Sequence, residues 1–264
     1  MAIDSISTNN SYANFNNRQL DSTNESLASG SRINRSADDP AGQAVVTAMT
    51  SQINVQDQGV RNANDGVNLM QTADGALENI QSQIQTLTGL SVQAMNGTYN
   101  DSQRQAMNQQ FTQTLQGIDQ IAQTTQFNGM NLLNGENASV NIALGGSQNE
   151  LQLADMTNGS TGLSGLSLNS ADDARAANEM LTTVMEGLQE TRSSMGAQQN
   201  ALTTAADNLM NQNVNTQASR AQINDTDYAK AVTEQTREQV LQQAQIAMQA
   251  QSNQSQSDVL ALLN

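Results

Sequence analysis

The helical pattern of this chain lies at its two ends, and its turn-rich, strand-like sequence lies in the middle. Globular domains usually leave their termini loose. Here apolar residues at helical spacing continue to Val259, Leu260, Leu262 and Leu263, at the very end of 264 residues. Ends of this kind are built to lie against each other or against copies of the same chain. The arrangement points to assembly before it points to chemistry.

Composition narrows the class. Aromatic residues are 2% of the chain, Trp is absent and hydrophobic residues reach 36%. A thick core draws on aromatic side chains for buried area. Ala, Leu, Val, Ile and 12 Met among Gln, Asn, Ser and Thr instead suit helices that each bury a narrow stripe. A mean hydropathy of -0.54 and a net charge of -15 raise disorder as the alternative. With charged residues at only 13% and a regular apolar period, a fold is favoured. The acidic balance, with Lys230 the single lysine and the arginines scattered, argues against nucleic acid and against anionic membrane surfaces. Without Cys there is no disulfide framework and no thiolate chemistry. Met1 to Ser5 has neither the basic nor the apolar region of a signal peptide, and no apolar run is long enough to span a bilayer. The expectation is a chain that stays in the cytoplasm or leaves by a route independent of such signals.

A first helical stretch runs from about Tyr12 to Arg35, with Leu20, Leu27 and Ile33 apolar, and closes at Gly30 and the polar run Ser31 to Asp38. Asp39 then offers an N-cap, with the only proline, Pro40, at the first helical position. From Ala44, the positions Met49, Ile53, Gln56, Val60, Ala63, Val67, Met70, Asp74 and Leu77 alternate spacings of three and four. That spacing is a coiled-coil-like seam, and it continues through Ile84 and Leu87 towards Met95. A break at Asn96-Gly97-Thr98 precedes a shorter helix with Phe111, Leu115, Ile118 and Ile121. Asn128-Gly129 and Asn134-Gly135 signal turns. Ser139 to Leu144 and Glu150 to Leu153 alternate with period two around Gly145-Gly146, which predicts a β-hairpin. Thr157 to Ser170 is Gly/Ser/Thr/Asn-rich and is expected to be an exposed loop. A second long seam follows, through Ala177, Leu181, Val184, Leu188, Thr191, Met195, Gln198, Leu202, Ala205 and Leu209, with Asp172 or Asp173 as its expected cap. A last helix begins after Asp225-Thr226-Asp227. The halves mirror each other in size, so antiparallel pairing of the two is the natural fold.

Chemistry is sparse. With no His, neither a hydrolytic triad nor an imidazole metal site can be built. Asp38-Asp39 and Asp172-Asp173 are the obvious carboxylate pairs, but sequence neighbours do not face each other on a helix, and both pairs stand where a helix begins. Capping is the better reading of each. Asp225-Thr226-Asp227 lacks the glycine and the terminal glutamate of a calcium loop, and the glycine clusters lack the lysine of a phosphate loop. No catalytic, cofactor or metal site is expected.

Several long motifs carry a family resemblance. Leu27-Ala28-Ser29-Gly30-Ser31-Arg32-Ile33-Asn34, then Ala37-Asp38-Asp39-Pro40-Ala41-Gly42-Gln43-Ala44, resemble the N-terminal signature of bacterial flagellin. So do Asn64-Asp65-Gly66, Gly75-Ala76-Leu77 and Thr125-Gln126-Phe127-Asn128-Gly129. In the second half Arg192 to Asn200, Ala218-Ser219-Arg220, Asp225-Thr226-Asp227 and the ending Val259 to Leu263 are similar. Two features depart from the pattern: the middle lacks a large outer insertion, and Pro40 stands where the family often has Ala.

The resemblance implies a mainly α fold: an elongated antiparallel helical bundle or coiled coil from paired N- and C-terminal halves, with a small central β-hairpin. It implies a terminal coiled-coil domain from residues 1–43 and 218–264, and a helical domain over 44–217 with a hairpin at about 139–154 and an exposed loop at about 157–170. Its polymerisation seam would use Leu20, Leu27, Val232, Val240, Leu241, Val259, Leu260, Leu262 and Leu263. The implied function is a filament subunit for swimming, exported unfolded without a signal peptide and added at the distal tip of an extracellular flagellum. The implied partners are copies of itself, the flagellar cap and hook-junction proteins, and an export chaperone on the C-terminal helix near Val232 to Leu263. Flagellins sensed by the Toll-like receptor for flagellin carry a stretch resembling Gln-Arg-Val-Arg-Glu-Leu-Ser-Val-Gln. Here the stretch is Gln85-Thr86-Leu87-Thr88-Gly89-Leu90-Ser91-Val92-Gln93. Leu90 and Gln93 match, Thr86 and Thr88 replace arginines and Gly89 replaces glutamate, so a weak receptor contact is expected. The alternatives are a hook–filament junction protein, which departs in the middle motifs, and a helical signalling rod of the chemoreceptor type, which the central hairpin disfavours.

Overall fold

The computed structural model describes the backbone of residues 2–262 and the side chains of residues 11–255 and 257. In chain order the described residues form helices α1 (Ala2–Ser29), α2 (Pro40–Met95) and α3 (Asp101–Thr124). Strands β1 (Gln126–Phe127), β2 (Met130–Asn131), β3 (Ser139–Ala143) and β4 (Gln148–Gln152) follow, then helices α4 (Ala171–Asn224) and α5 (Tyr228–Leu262). The chain divides into two compact units, one of Met1–Ile53 with Val214–Asn264 and one of Asn54–Asn213.

In the second unit α2 and α4 run antiparallel. Asp57 accepts from Asn213, Asp74 from Arg192, and Ser91 donates to Asn178, so numbers rise on one helix as they fall on the other. Ala63, Met70, Leu77, Ile84 and Leu87 of α2 are buried with Ala177, Leu181, Leu188, Met195, Leu202 and Leu209 of α4. The predicted spacings of three and four are the core positions. Helix α3 adds Phe111, Leu115, Ile118 and Ala122. It starts at a capping box: Gln103 N–H donates to Asn100, and Asn100 N–H donates to the Gln103 side chain.

Strands β3 and β4 pair antiparallel, with Val140 opposite Leu151 and Ile142 opposite Asn149. Their alternating burial, with Leu151 wholly buried, is what a period of two gives a sheet with one face covered. Two glycines of α2, seven residues apart, set how near the hairpin comes. A Cβ on Gly59 would stand 2.9 Å from Leu209 Cδ1 and 3.1 Å from the Leu144 carbonyl carbon, and one on Gly66 3.2 Å from Ile142 Cγ1. A second, two-residue hairpin, β1–β2, turns on Asn128 and Gly129 at φ +49° and +79°. Both residues are left-handed, the signature of a type I′ turn.

Three expectations need correction. The first helix stops at Ser29, not near Arg35, because Gly30 takes φ +73° and ends it as a left-handed C-terminal residue; Ile33 is buried in the loop beyond. Helix α4 is capped by Ser170 rather than by Asp172 or Asp173. Ser170 Oγ accepts from Asp173 N–H, and the Asp173 carboxylate accepts from Ser170 N–H. The segment 157–170 is not an exposed loop throughout: Leu163 and Leu168 are fully buried. Leu168 N–H donates to Asn108 on α3, and the Asn158 amide donates to the Leu115 carbonyl. Composition alone hides two buried leucines in a run of polar and glycine residues.

Candidate self-association surface

The first unit is built on the pairing of α1 with α5. Ala13, Asn16, Leu20, Thr23 and Leu27 recur on α1 at coiled-coil spacing; Asn16 and Thr23 are buried and the other three half-buried. On α5 the buried positions are Ala231 and Glu238, with Glu234, Gln235, Gln242, Gln245 and Gln249 half-buried. These also recur at threes and fours, so the face that α5 turns to α1 is almost wholly polar. Amide hydrogen bonds tie it. Asn16 Nδ2 donates to the Glu238 carbonyl at 3.0 Å, Gln242 Nε2 to Asn17 Oδ1 at 2.9 Å and Gln235 Nε2 to Asn24 Oδ1 at 2.7 Å.

The apolar side chains point elsewhere. Tyr12 and Phe15 of α1, and Val232, Val240, Leu241, Ile246 and Met248 of α5, are exposed, Val240 at 59% and Ile246 at 65%. Of the residues expected in a common seam, Leu20 and Leu27 are half-buried in the α1–α5 pair, while Val232, Val240 and Leu241 lie off it. The reason is angular. With 3.6 residues per turn, a face centred on Ala231 and Glu238 leaves Val232 and Val240 on other sides of the helix. The side chains of Val259, Leu260 and Leu262, and the whole of Leu263, lie outside the described residues. Sequence reasoning missed Asn16, Thr23 and Glu238 as seam members because it followed apolar residues; the seven-residue spacing of Ala231, Glu238 and Gln245 was the available signal.

The end of the pair near Gly30 is held by backbone. Thr226 N–H donates to the Gly30 carbonyl at 2.9 Å, Arg32 N–H to the Asn224 carbonyl at 2.6 Å and Tyr228 Oη to the Leu27 carbonyl at 3.2 Å. The Arg32 guanidinium reaches the Ile223 carbonyl at 2.7 Å. The carboxylates marked for capping divide their work. Asp39 accepts from Gly42 N–H and caps α2, and Asp227 accepts from Ala229 and Lys230 N–H and caps α5. Asp38 instead closes the preceding turn by accepting from Asn34 and Arg35 N–H, and those backbone bonds hold its carboxyl below the usual range.

In the second unit, the segment Gln85 to Gln93 lies on α2. Thr86, Gly89 and Gln93 are exposed and Thr88 is half-buried, but Leu90 is buried in the core. Thr86 and Thr88 donate their hydroxyls back to the Ser82 and Ile84 carbonyls of their own helix. Among the described residues no three His, Cys, Asp or Glu side chains gather into a metal site, and no helix is long and apolar enough to cross a membrane.

The family model described as the bacterial flagellin N-terminal helical region matches residues 4–138, and that of the C-terminal helical region matches 178–263. A flagellin of Halalkalibacterium halodurans is 38% identical over 244 residues, covering 90% of each chain. A 30.7 kDa flagellar filament core protein of Treponema maltophilum is 33% identical over 275 residues, covering 96% of each. Among solved structures, Bacillus cereus flagellin superposes with a TM-score of 0.52 at 27% identity, covering 56% of this chain and 88% of that one.

Proposed function

The chain belongs to the bacterial flagellin family, and on that premise we propose that it is the structural subunit of a flagellar filament and polymerises through its terminal helices. One observation carries the reading: the α1–α5 pair buries amides and a carboxylate while Tyr12 and Phe15 of α1 and Val232, Val240, Leu241, Ile246 and Met248 of α5 stay exposed. A helix pair arranged this way gains little by closing on itself and much by packing against further copies. The head-to-tail contacts of identical subunits that do not close into a ring generate a helical tube. Val232, Val240 and Leu241, with Val259, Leu260, Leu262 and Leu263, supply the apolar contact between copies, and Leu20 and Leu27 the contact within one.

On this reading the protein acts outside the cell, in the flagellum, as a mechanical element and not as an enzyme. It leaves as an unfolded chain through a narrow channel; a chain without Cys cannot be locked by a cross-link on the way. A chaperone covers the α5 stripe from Val232 onward before export, the cap protein receives the subunit at the tip, and a hook-junction protein seats the first copies. The test is a sedimentation assay after salting-out of the intact protein beside Val240→Asn and Leu241→Asn. The intact protein should pellet as polymer and the substituted ones stay largely in solution; equal pelleting by all three would overturn the assignment.

A further inference from the structure

Asparagine is followed by glycine at Asn96-Gly97, Asn128-Gly129, Asn134-Gly135 and Asn158-Gly159. Such a pair carries its own chemistry. The glycine nitrogen, with no neighbouring side chain to shield it, attacks the asparagine Cγ. An N–Cγ bond forms, the Cγ–Nδ2 bond breaks, and water carries the glycine amide proton to the departing ammonia. Water then opens the cyclic imide at either carbonyl. The product is aspartate or, with the main chain rerouted through the side chain, isoaspartate. An attack inside one dipeptide proceeds only as far as the fold lets the side chain swing onto the next nitrogen.

The fold restrains three of the four. Asn96 Oδ1 accepts from Thr98 N–H at 3.1 Å and from Thr98 Oγ1 at 3.0 Å. Asn134 Oδ1 accepts from Glu136 N–H at 3.1 Å. Asn158 Nδ2 donates to the Leu115 carbonyl at 2.7 Å, and its Oδ1 is buried. Asn128 is exposed, and among the described residues its side chain makes no hydrogen bond. It sits in the turn of a short hairpin, with Gln126 opposite Asn131 and Phe127 opposite Met130, and a two-stranded hairpin is marginal by itself. Both turn residues are left-handed, and the reaction takes place as that turn opens. Nothing lies within 4 Å of where a side chain on Gly129 would stand, so the turn has room to open and to admit water.

We infer that Asn128 is a site of self-modification, converted to aspartate and isoaspartate ahead of the other three. The product changes its surroundings in two ways. A carboxylate appears on the groove that Asn128 shares with Asp65, Leu69, Phe127, Met130 and Ile142, beside the acidic group already there. Isoaspartate also adds a main-chain atom to a type I′ turn that closes over two residues, which unpairs β1 from β2. Resting on the assembly reading above, filament subunits that are not replaced gather this change with age.

The experiment is mass-spectrometric peptide mapping of the full-length soluble protein aged in mildly alkaline buffer, each site placed by electron-transfer fragmentation and isoaspartate confirmed by isoaspartyl methyltransferase labelling. Asn128 should convert at least fivefold faster than Asn96, Asn134 or Asn158. In denaturing urea the four rates should converge, because each is the same dipeptide freed from its fold. Equal rates in the folded protein, faster conversion at any of the other three, or a preference for Asn128 that survives urea would overturn the inference. The measurement is made without forming filaments, so failure here and failure of the assembly proposal are separate results.

Discussion

Arg192 on α4 grips Asp74 on α2 from 118 residues away, with Nε 2.8 Å from Oδ1 and Nη2 3.3 Å from Oδ2, while its third nitrogen reaches Gln81 Oε1 at 2.7 Å. The hydrogen bonds to Asp74 are the main reason the guanidinium is held in its charged form even more firmly than usual. Two long helices with small, repetitive side chains could pair in several registers one turn apart. A forked cation with two fixed acceptors permits one.

Arg192→Ala should therefore lower the stability of the 54–213 unit by about 1–2 kcal/mol, at the lower end for a charged hydrogen bond because the pair is only part-buried, and above the usual surface ion pair. Arg192→Lys should recover little, because an ammonium cannot serve both Asp74 oxygens and Gln81 together. Urea unfolding followed by helical ellipticity measures both. A loss equal to that of an exposed pair, or full recovery by lysine, would show that the fork is not what matters.

Glycine positions on α2 should respond in opposite directions. Gly59→Ala places a methyl against the Leu144–Gly145 backbone, which cannot rotate away, so it should cost about 1–3 kcal/mol and loosen the β3–β4 hairpin. Gly89 has nothing within 4 Å of its Cβ position, and Gly89→Ala should stabilise by up to about 1 kcal/mol through helix propensity. Thermal melts of the two variants should move apart, Gly59→Ala down and Gly89→Ala up.

Leu168→Ala should cost about 2–4 kcal/mol, as expected for a wholly buried leucine, whereas Ser164→Ala four residues away should change stability by no more than about 0.5 kcal/mol. Differential scanning of the two proteins checks whether the 157–170 segment is part of the core. Similar melting of both would return it to the status of a passive loop.

The receptor-like segment gives a further prediction. With Leu90 in the core, the exposed part of that segment is Gln85, Thr86, Gly89, Val92 and Gln93. An arginine anchor lost from an interface centre commonly costs about 2 kcal/mol or more of binding. We expect the monomer to activate the Toll-like receptor for flagellin weakly or not at all in reporter cells. The combined variant Thr86→Arg, Thr88→Arg, Gly89→Glu should gain activity. Full potency of the unaltered protein, or no gain in the variant, would exclude the idea.

Much of this fold was legible in the sequence. The seams from Ile53 to Leu87 and from Ala177 to Leu209 announce themselves because one apolar residue per half-heptad is all that a helix pair needs. The hairpin shows as period two around Gly145-Gly146, and Pro40 behind Asp39 marks a helix start. What was hidden is local satisfaction of polar groups. Ser170 and Asp173 bond each other, so either could be read as the cap until geometry decides. Leu163 and Leu168 sit in a composition that suggests solvent. At the ends, a pattern that tracks apolar residues selects the outer surface of α5 and passes over Glu238 and its glutamines, because a seam of amides has the same period without the hydrophobic signal.

The most direct test of the account is electron microscopy of the protein after salting-out, beside the core left by brief protease treatment, spanning about residues 44–217. The intact chain should form long, uniform tubes, and the core should stay soluble and helical without forming any. Tubes from the core, or none from the intact chain, would contradict the claim that the terminal helices build the filament.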